Sequence, residues 1–338
     1  MNKLNIYNFI IIFLILFIIT AVGCNNNNTN GDNILYIDNE KDIFKILQLS
    51  DLHLTNDLDI AYGNAYPNET YEFVRYVVEE SNPDLIVLTG DIFYHTNAKA
   101  EELRLLMDSL KIPFTFVWGN HDATTLIEKN NISNELLKSD YCLWKNDYQN
   151  KDLKRTGDHA IQLRTNDTDK LLYCFYMLDS GTYNGKIYES VYEDQLNQYK
   201  NVMDKLNEIY KKQENNKYDI IPNLVFQHIP VEEYRTLYSE DKLILGRKIE
   251  NPCNGEENTG QYEFMKKYNM KAMFVGHDHM NNYAFKTEDG IILAYGGQAG
   301  YSNTYDEYYP DVTRLWNALE ITIDSNREIS LKLIEKDK

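Results

Sequence analysis

The sequence predicts an α/β fold, and three observations predict it. Short apolar runs of strand length recur at 45–50, 85–89, 114–118, 224–227 and 271–275, most of them rich in β-branched or aromatic residues. Between the first three lie stretches whose apolar residues fall at helical spacing. A chain of 338 residues with 43% apolar content can also bury one large core.

In chain order, residues 1–23 contain Lys3, an apolar run at 9–19, and then Thr20-Ala21-Val22-Gly23 before Cys24. That run has the length of a signal-peptide core and is short for a bilayer span. Small residues before a cysteine look like a lipobox, with Ala21 where leucine is more usual. Residues 1–23 are therefore expected to be removed and Cys24 lipidated, giving an exported cell-envelope lipoprotein anchored in the membrane. An ordinary signal peptide or an uncleaved anchor is the alternative. Residues 24–40, opening on a polar tract without apolar periodicity, are expected as a flexible tether, and 41–338 as a single domain.

Within that domain, Tyr71, Val74, Val77 and Val78 give 68–81 a helical face that stops before Asn82-Pro83. Ala100, Leu103, Leu106, Met107 and Leu110 repeat the pattern, and Pro113 precedes the third apolar run. Strand, helix, strand, helix, strand implies a largely parallel sheet. Further on, 160–163 and 171–178 read as strands and 191–213 as a long charged helix. Short strand candidates follow at 282–286, 291–295, 315–323 and 329–334, with antiparallel pairing expected among them.

The net charge is -18. An acidic surface argues against a nucleic-acid docking patch, because affinity for a phosphate backbone comes from clustered Lys and Arg. Of the four cysteines, Cys142, Cys174 and Cys253 remain if Cys24 is lipidated, and an odd number cannot all pair. Without a CxxC motif none is assigned to a metal.

Each apolar run ends in residues able to ligate a metal: Asp51-Leu52-His53, Gly90-Asp91, Gly119-Asn120-His121-Asp122, His228, and Gly276-His277-Asp278-His279. The chain has only 7 histidines, and His95 and His159 alone fall outside these motifs. Gly276 is expected to let the backbone turn sharply after its strand. Such loops sit at the carboxyl edge of an α/β sheet, where chemistry is usually placed. A dinuclear centre wants oxygen and imidazole ligands, a bridging carboxylate and open positions. Asp91 suits the bridge, one oxygen for each ion. Asp51 and His53 suit one ion, Asn120 and His228 the other, with His277 and His279 divided between them. Two divalent ions outweigh Asp51, Asp91 and a hydroxide, so such a site stays positive inside an acidic protein. No GxSxG or phosphate-binding P-loop is present.

The motifs in this order resemble the calcineurin-like metallophosphoesterase superfamily over most of residues 43–323. Met177-Leu178-Asp179-Ser180-Gly181, Phe226-Gln227-His228-Ile229-Pro230 and Tyr295-Gly296-Gly297 with Gly300-Tyr301 are similar to its purple-acid-phosphatase-like branch. The resemblance implies a four-layer αββα sandwich of two mixed β-sheets flanked by helices. It implies two divalent ions, drawn from Mn, Fe, Zn or Mg. Asp51, His53, Asp91 and His279 would bind the first, and Asp91, Asn120, His228 and His277 the second. His121 would contact phosphate and protonate the leaving group, with Asp122 orienting it. Tyr301 and Tyr305 are candidates for a wall against an aryl or nucleoside leaving group.

The activity implied is hydrolysis of phosphate esters, monoesters foremost, by in-line attack of a hydroxide bridging the ions. A phosphodiesterase or nucleotidase on the same site is one alternative. A metal-binding surface lipoprotein without turnover is the alternative of another class. One departure is visible: the chain has both Tyr94, at the place of the coloured members' iron-binding tyrosine, and His53, where those members have glycine. Neutral imidazole suits divalent ions, so His53 is expected to ligate and Tyr94 not.

Overall fold

Strands buried on both faces read as unbroken apolar runs, and the alternation hidden inside them emerges only in three dimensions. In β3 (Leu85–Thr89), Leu85 and Val87 enter a core between two sheets, while Ile86 and Leu88 face a layer of helices. The computed structural model describes residues 33–37, 43–56, 67–94, 99–300 and 315–337. Two mixed sheets pack face to face, with helices on both outer faces, which is the four-layer sandwich the resemblance implied.

The first sheet has five strands. In it β2 (Phe44–Leu49), β3 and β4 (Phe114–Val117) run parallel, β13 (Leu315–Ile323) lies antiparallel on β2, and β14 (Ile329–Asp337) closes the edge. The second has nine. Its parallel centre is β7 (Leu171–Met177), β8 (Asn223–Phe226), β10 (Met270–Val275) and β12 (Ile292–Tyr295). It is flanked on one side by β6 (Arg155–Thr165), β5 (Tyr148–Asn150) and β1 (Asn33–Ile37), and on the other by β11 (Ala284–Lys286) and β9 (Leu243–Leu245).

Helices α1 (Pro67–Ser81), α2 (Ala100–Leu110) and α3 (Leu126–Leu136) set Phe73, Val77, Leu103, Met107 and Ile132 against the first sheet. On the other side α4 (Glu193–Tyr210), α5 (Glu233–Thr236) and α6 (Gln261–Lys266) set Tyr199, Met203, Tyr234 and Met265 against the second.

One expectation needs correcting, and two features were not foreseen. The tether expected through residue 40 contains β1, because Leu35 and Ile37 alternate with Tyr36 and drop into the core between the sheets. One compact unit runs Ile34–Lys338. The antiparallel pairing expected among the later segments holds for β11 with β12 and for β13 with β14; not foreseen is that β12 also pairs parallel with β10, Ala272 opposite Ile292. Helix α3 went unforeseen, because its buried face is Lys129, Ile132, Ser133 and Leu136, half of it polar. Its start was legible, since Thr125 and Glu128 form a capping box.

Residues 1–23 and Cys24 lie outside the described residues. Among the described residues no helix is long and apolar enough to cross a membrane.

Candidate dinuclear metal centre

The parallel strands of both sheets deliver their carboxyl ends to one edge of the sandwich, and the motif residues follow directly. Asp51 and His53 leave β2, Asp91 leaves β3, Asn120 and His121 leave β4, His228 follows β8, and His277 and His279 follow β10. Four of these residues adopt left-handed backbone, Asp51 (φ 57°), His53 (φ 49°), Asp91 (φ 47°) and His277 (φ 80°). Each such residue stores about 1 kcal/mol or more of strain. The surrounding backbone holds it in place: Asp51 N–H donates to Gly90 O at 3.1 Å, His53 N–H to Asp91 O at 2.9 Å and Leu54 N–H to Ile92 O at 2.9 Å.

Two glycines are required here for different reasons. Gly90 combines φ 86° with a close approach, since a Cβ there would lie 2.6 Å from His228 Cγ. Gly276 was expected to supply a turn, but it supplies room: a Cβ would lie 1.9 Å from Ser50 Oγ and 2.7 Å from Asp51 Oδ2. The left-handed step falls on His277 instead.

The side chains converge on two groups, Asp51, His53, Asp91 and His279 in one, and Asp91, His228 and His277 in the other. Asp91 belongs to both. In the first, His279 Nε2 lies 3.3 Å from Asp51 Oδ1, and His53 Nε2 lies 3.1 Å from His279 Nε2 and 3.5 Å from Asp91 Oδ2. In the second, His228 Nε2 lies 3.2 Å from Asp91 Oδ2 and 3.1 Å from Asn120 Oδ1, which adds Asn120 to the group. His228 Nδ1 sits 2.9 Å from Thr89 O. A carbonyl there fixes the tautomer with hydrogen on Nδ1 and leaves the Nε2 lone pair facing inward.

This arrangement fits two cations. Asp91 Oδ2 and His277 Nε2 are buried without a hydrogen-bond partner among the described residues, although imidazole nitrogens crowd Asp91 Oδ2. Orphaned polar atoms at the meeting point of seven buried ligands are costly unless something unseen satisfies them. The charges agree. Burial opposes ionisation of Asp91, yet His228 and His121 hold its carboxyl well below the usual range. Burial likewise opposes a proton on His53 and His228, yet the two carboxylates push His53 up to about 9 and Asp91 pushes His228 up to about 10. Burial pushes His277 down to about 3. The buried carboxylates that raise these imidazoles would equally favour cations held among them.

His121 stands apart from both groups. Its backbone N–H donates to Asp91 Oδ1 at 2.7 Å, while its half-buried ring stacks on Tyr94 with centroids 4.8 Å apart and planes 20° apart. Tyr94 also lies near His53, at 5.6 Å between centroids. Asp122, expected to orient His121, takes backbone amides on both oxygens, Phe93 N–H and Gly119 N–H, each at 2.7 Å. It is a positioning residue that pins the β4 loop to the β3 loop, and burial beside Asp91 pushes it up to about 7. His159 belongs to the core of the fold, between Thr115 Oγ1 at 2.8 Å and Gly157 O at 2.7 Å. Tyr301, Tyr305 and His95 lie outside the described residues.

Sequence reasoning missed three contributors. Gln48 Nε2 donates to Thr89 Oγ1 and to Val275 O, each at 2.9 Å, strapping one sheet to the other beneath the site. Its signal was a lone amide in an apolar strand. Asp278, between two ligands, accepts from Tyr295 Oη at 2.6 Å and from Cys253 N–H at 3.1 Å, anchoring the loop that bears His277 and His279. Tyr188 sets its ring edge against His277, with centroids 4.4 Å apart at 82°.

The model of the calcineurin-like phosphoesterase family matches residues 44–281. Among curated proteins, "Probable inactive purple acid phosphatase 29" of Arabidopsis thaliana is 27% identical over 287 residues, 76% of this chain and 72% of that protein. "Phosphatase DCR2" of Saccharomyces cerevisiae is 27% identical over 304 residues, 82% of this chain and 51% of that protein. A solved dimetal phosphatase from Danio rerio superposes with a TM-score of 0.51 at 12% identity, covering 85% of this chain and 98% of that one, which shows the shared fold.

Proposed function

The chain belongs to the calcineurin-like phosphoesterase family, and from that premise we propose that it is a dinuclear metal-dependent phosphatase acting on phosphate monoesters. One observation carries the reading: two buried ligand groups meet at Asp91, whose Oδ2 has no hydrogen-bond partner among the described residues. Asp51, His53, Asp91 and His279 would hold one ion, and Asp91, Asn120, His228 and His277 the other. Such ions, when bound, stabilise charge on a phosphoryl group and lower the pKa of water to near neutral.

The chain's own residues supply the rest. His121, beside the ligands and not among them, gives a proton to the departing oxygen, the role of a general acid. Its ring is held by Tyr94, and its backbone by Asp91 and by the clamp at Asp122. Strained loops braced on both sheets keep the ligands from relaxing apart. Monoesters are put before diesters on the name of the yeast relative, "Phosphatase DCR2", the Arabidopsis relative being named inactive. A reading without turnover suits a site that has lost ligands, and here all eight ligand places and His121 are filled.

Export and lipid attachment at Cys24 belong to the same proposal, supported by the apolar run at 9–19 and the small residues before Cys24. The deciding experiment is metal analysis of the purified protein, followed by a panel of phosphate mono- and diesters with Mn, Fe, Zn and Mg. Near two equivalents of metal with turnover of monoesters supports the proposal. Two bound metals without turnover of any ester would leave a metal-binding protein, and preference for diesters would make it a phosphodiesterase.

A further inference from the structure

The loop after β7 carries a feature that lies outside both ligand groups. Residues 182–189 form a small hairpin in which Tyr183 and Tyr188 face each other across an antiparallel bridge, ring centroids 5.1 Å apart. Asn184 Oδ1 accepts from Lys186 N–H at 3.1 Å and Ile187 N–H at 3.2 Å, and Gly185 takes the left-handed step of the turn (φ 91°). The feet are tied as well. Glu189 N–H donates to Thr182 O at 3.0 Å, Thr182 N–H donates to Glu189 Oε2 at 2.9 Å, and the same oxygen accepts from the buried Arg155 guanidinium at 2.8 Å. Tyr188 O accepts from Glu256 N–H at 3.0 Å.

This braced hairpin stands against the catalytic groups on two sides. Tyr188 packs on the ligand His277, as described above, and the hydroxyl of Thr182 donates to the carbonyl of Asn120 at 3.2 Å. Next in the chain from that bond are His121 on one side and Tyr183 on the other. That bond ties the loop of the proton donor to the hairpin, whose Tyr183 is 49% exposed. Single exposed aromatics are common and need no explanation. A half-exposed ring packed on a second tyrosine that itself packs on the ligand His277 is a stacking surface whose ordering cost is already met. Glu189 at the foot of the hairpin also lines a groove with Glu232, Glu233 and Glu257, and although Glu189 pairs with Arg155 and Glu232 with Arg235, the lining is acidic on balance and disfavours an anionic leaving group.

We propose that the Tyr183–Tyr188 hairpin is a stacking platform for the leaving group, and that the preferred substrates are phosphate esters of flat, uncharged aromatic alcohols, aryl or nucleoside. This rests on the phosphatase reading for its phosphate end, and it places the aromatic wall at Tyr183 and Tyr188. Stacking on one half-exposed ring is worth about tenfold in binding, the lower end for base–aromatic contacts.

The test uses the metal-loaded full protein and phosphonates, whose carbon–phosphorus bond is not hydrolysed. Phenylphosphonate and the phosphonate analogue of adenosine 5′-monophosphate should each bind about tenfold tighter than methylphosphonate. Tyr183→Phe should keep that preference and Tyr183→Ala erase it, with methylphosphonate binding and metal content unchanged. In turnover, Tyr183→Ala should lower kcat/KM for adenosine 5′-monophosphate about tenfold and leave glycerol 3-phosphate unaffected. The stronger of the two aromatic arms names the source, aryl or nucleoside. Equal binding of all three phosphonates by the wild type, or equal losses for all three in Tyr183→Ala, overturns the platform. Aromatic preference in binding without turnover of any ester would support the platform and refute the phosphatase reading.

Discussion

Replacing His121 separates catalysis from metal binding, and the structure says how sharply. His121 donates its backbone N–H to Oδ1 of Asp91, the carboxylate common to both ligand groups, and that bond survives in His121→Ala. The ring lies outside both ligand groups, so both ions should remain. What is lost is a proton donor, worth about 100- to 10,000-fold in rate, or roughly 3–5 kcal/mol of barrier. The stack on Tyr94 also goes, a stability loss of about 1 kcal/mol.

Asp91→Asn acts on the other term. A carboxamide has one acceptor oxygen; if that oxygen keeps the His121 amide, its NH2 faces His228 and His53, where positive charge should sit. Both ions should weaken and turnover should vanish. Metal content by elemental analysis, and kcat/KM across esters of graded leaving-group pKa, distinguish the two variants. The His121→Ala loss should be greatest for poor leaving groups. If it shed metal as severely as Asp91→Asn, or slowed good and poor leaving groups alike, His121 would not be the acid.

Other outcomes are expected. His53→Ala should remove most activity, whereas Tyr94→Phe, which keeps the ring on His121, should cost little. A visible charge-transfer band in iron-loaded protein that disappeared in Tyr94→Phe would make Tyr94 a ligand. His159 is buried and pushed down to about 4, below the ~6.5 of an unfolded chain. The unfolded state alone binds the proton between those values, so stability should fall by ~3 kcal/mol as pH drops from about 6.5 to about 4. Urea unfolding of wild type and His159→Gln across that range checks it: an unchanged slope in the variant would clear His159 of the effect. Cys24→Ser should release soluble protein, and mass spectrometry of the mature N-terminus decides it, an unmodified Cys24 on membrane-retained protein pointing to an uncleaved anchor.

The ligands were legible because each follows a run of residues buried on both faces, and such a run announces its own end. Position along a strand end is a local property, and sequence carries local properties well. Contributors that work across the two sheets were not legible. Gln48 makes sense only once Val275 of the other sheet is above it, and Asp278 only once Tyr295 and the loop at Cys253 close on it. The hairpin at 182–189 lacks any apolar period, so its tyrosines merged with the chain's general richness in tyrosine. Strand β1 was hidden by the polar tract before it, and the parallel pairing of β12 with β10 by the intervening β11, with which β12 forms the hairpin that the short connection does mark.

Each ligand group draws from both sheets: Asp51, His53 and Asp91 meet His279, and Asp91 and Asn120 meet His228 and His277. Two ions held there would act as rivets through the seam of the sandwich, added to the hydrogen bonds that already cross it at Gln48, His228 and Asn282. The spacing between ligands is then set by the spacing between sheets. That spacing is kept by core residues such as Phe226 and Phe274, stacked 5.0 Å apart just before the ligands that follow their strands. Thinning that core at Phe274 should loosen the grip on metal at a stability cost of about 3–5 kcal/mol, and a chelator should lower the thermal stability of metal-loaded protein.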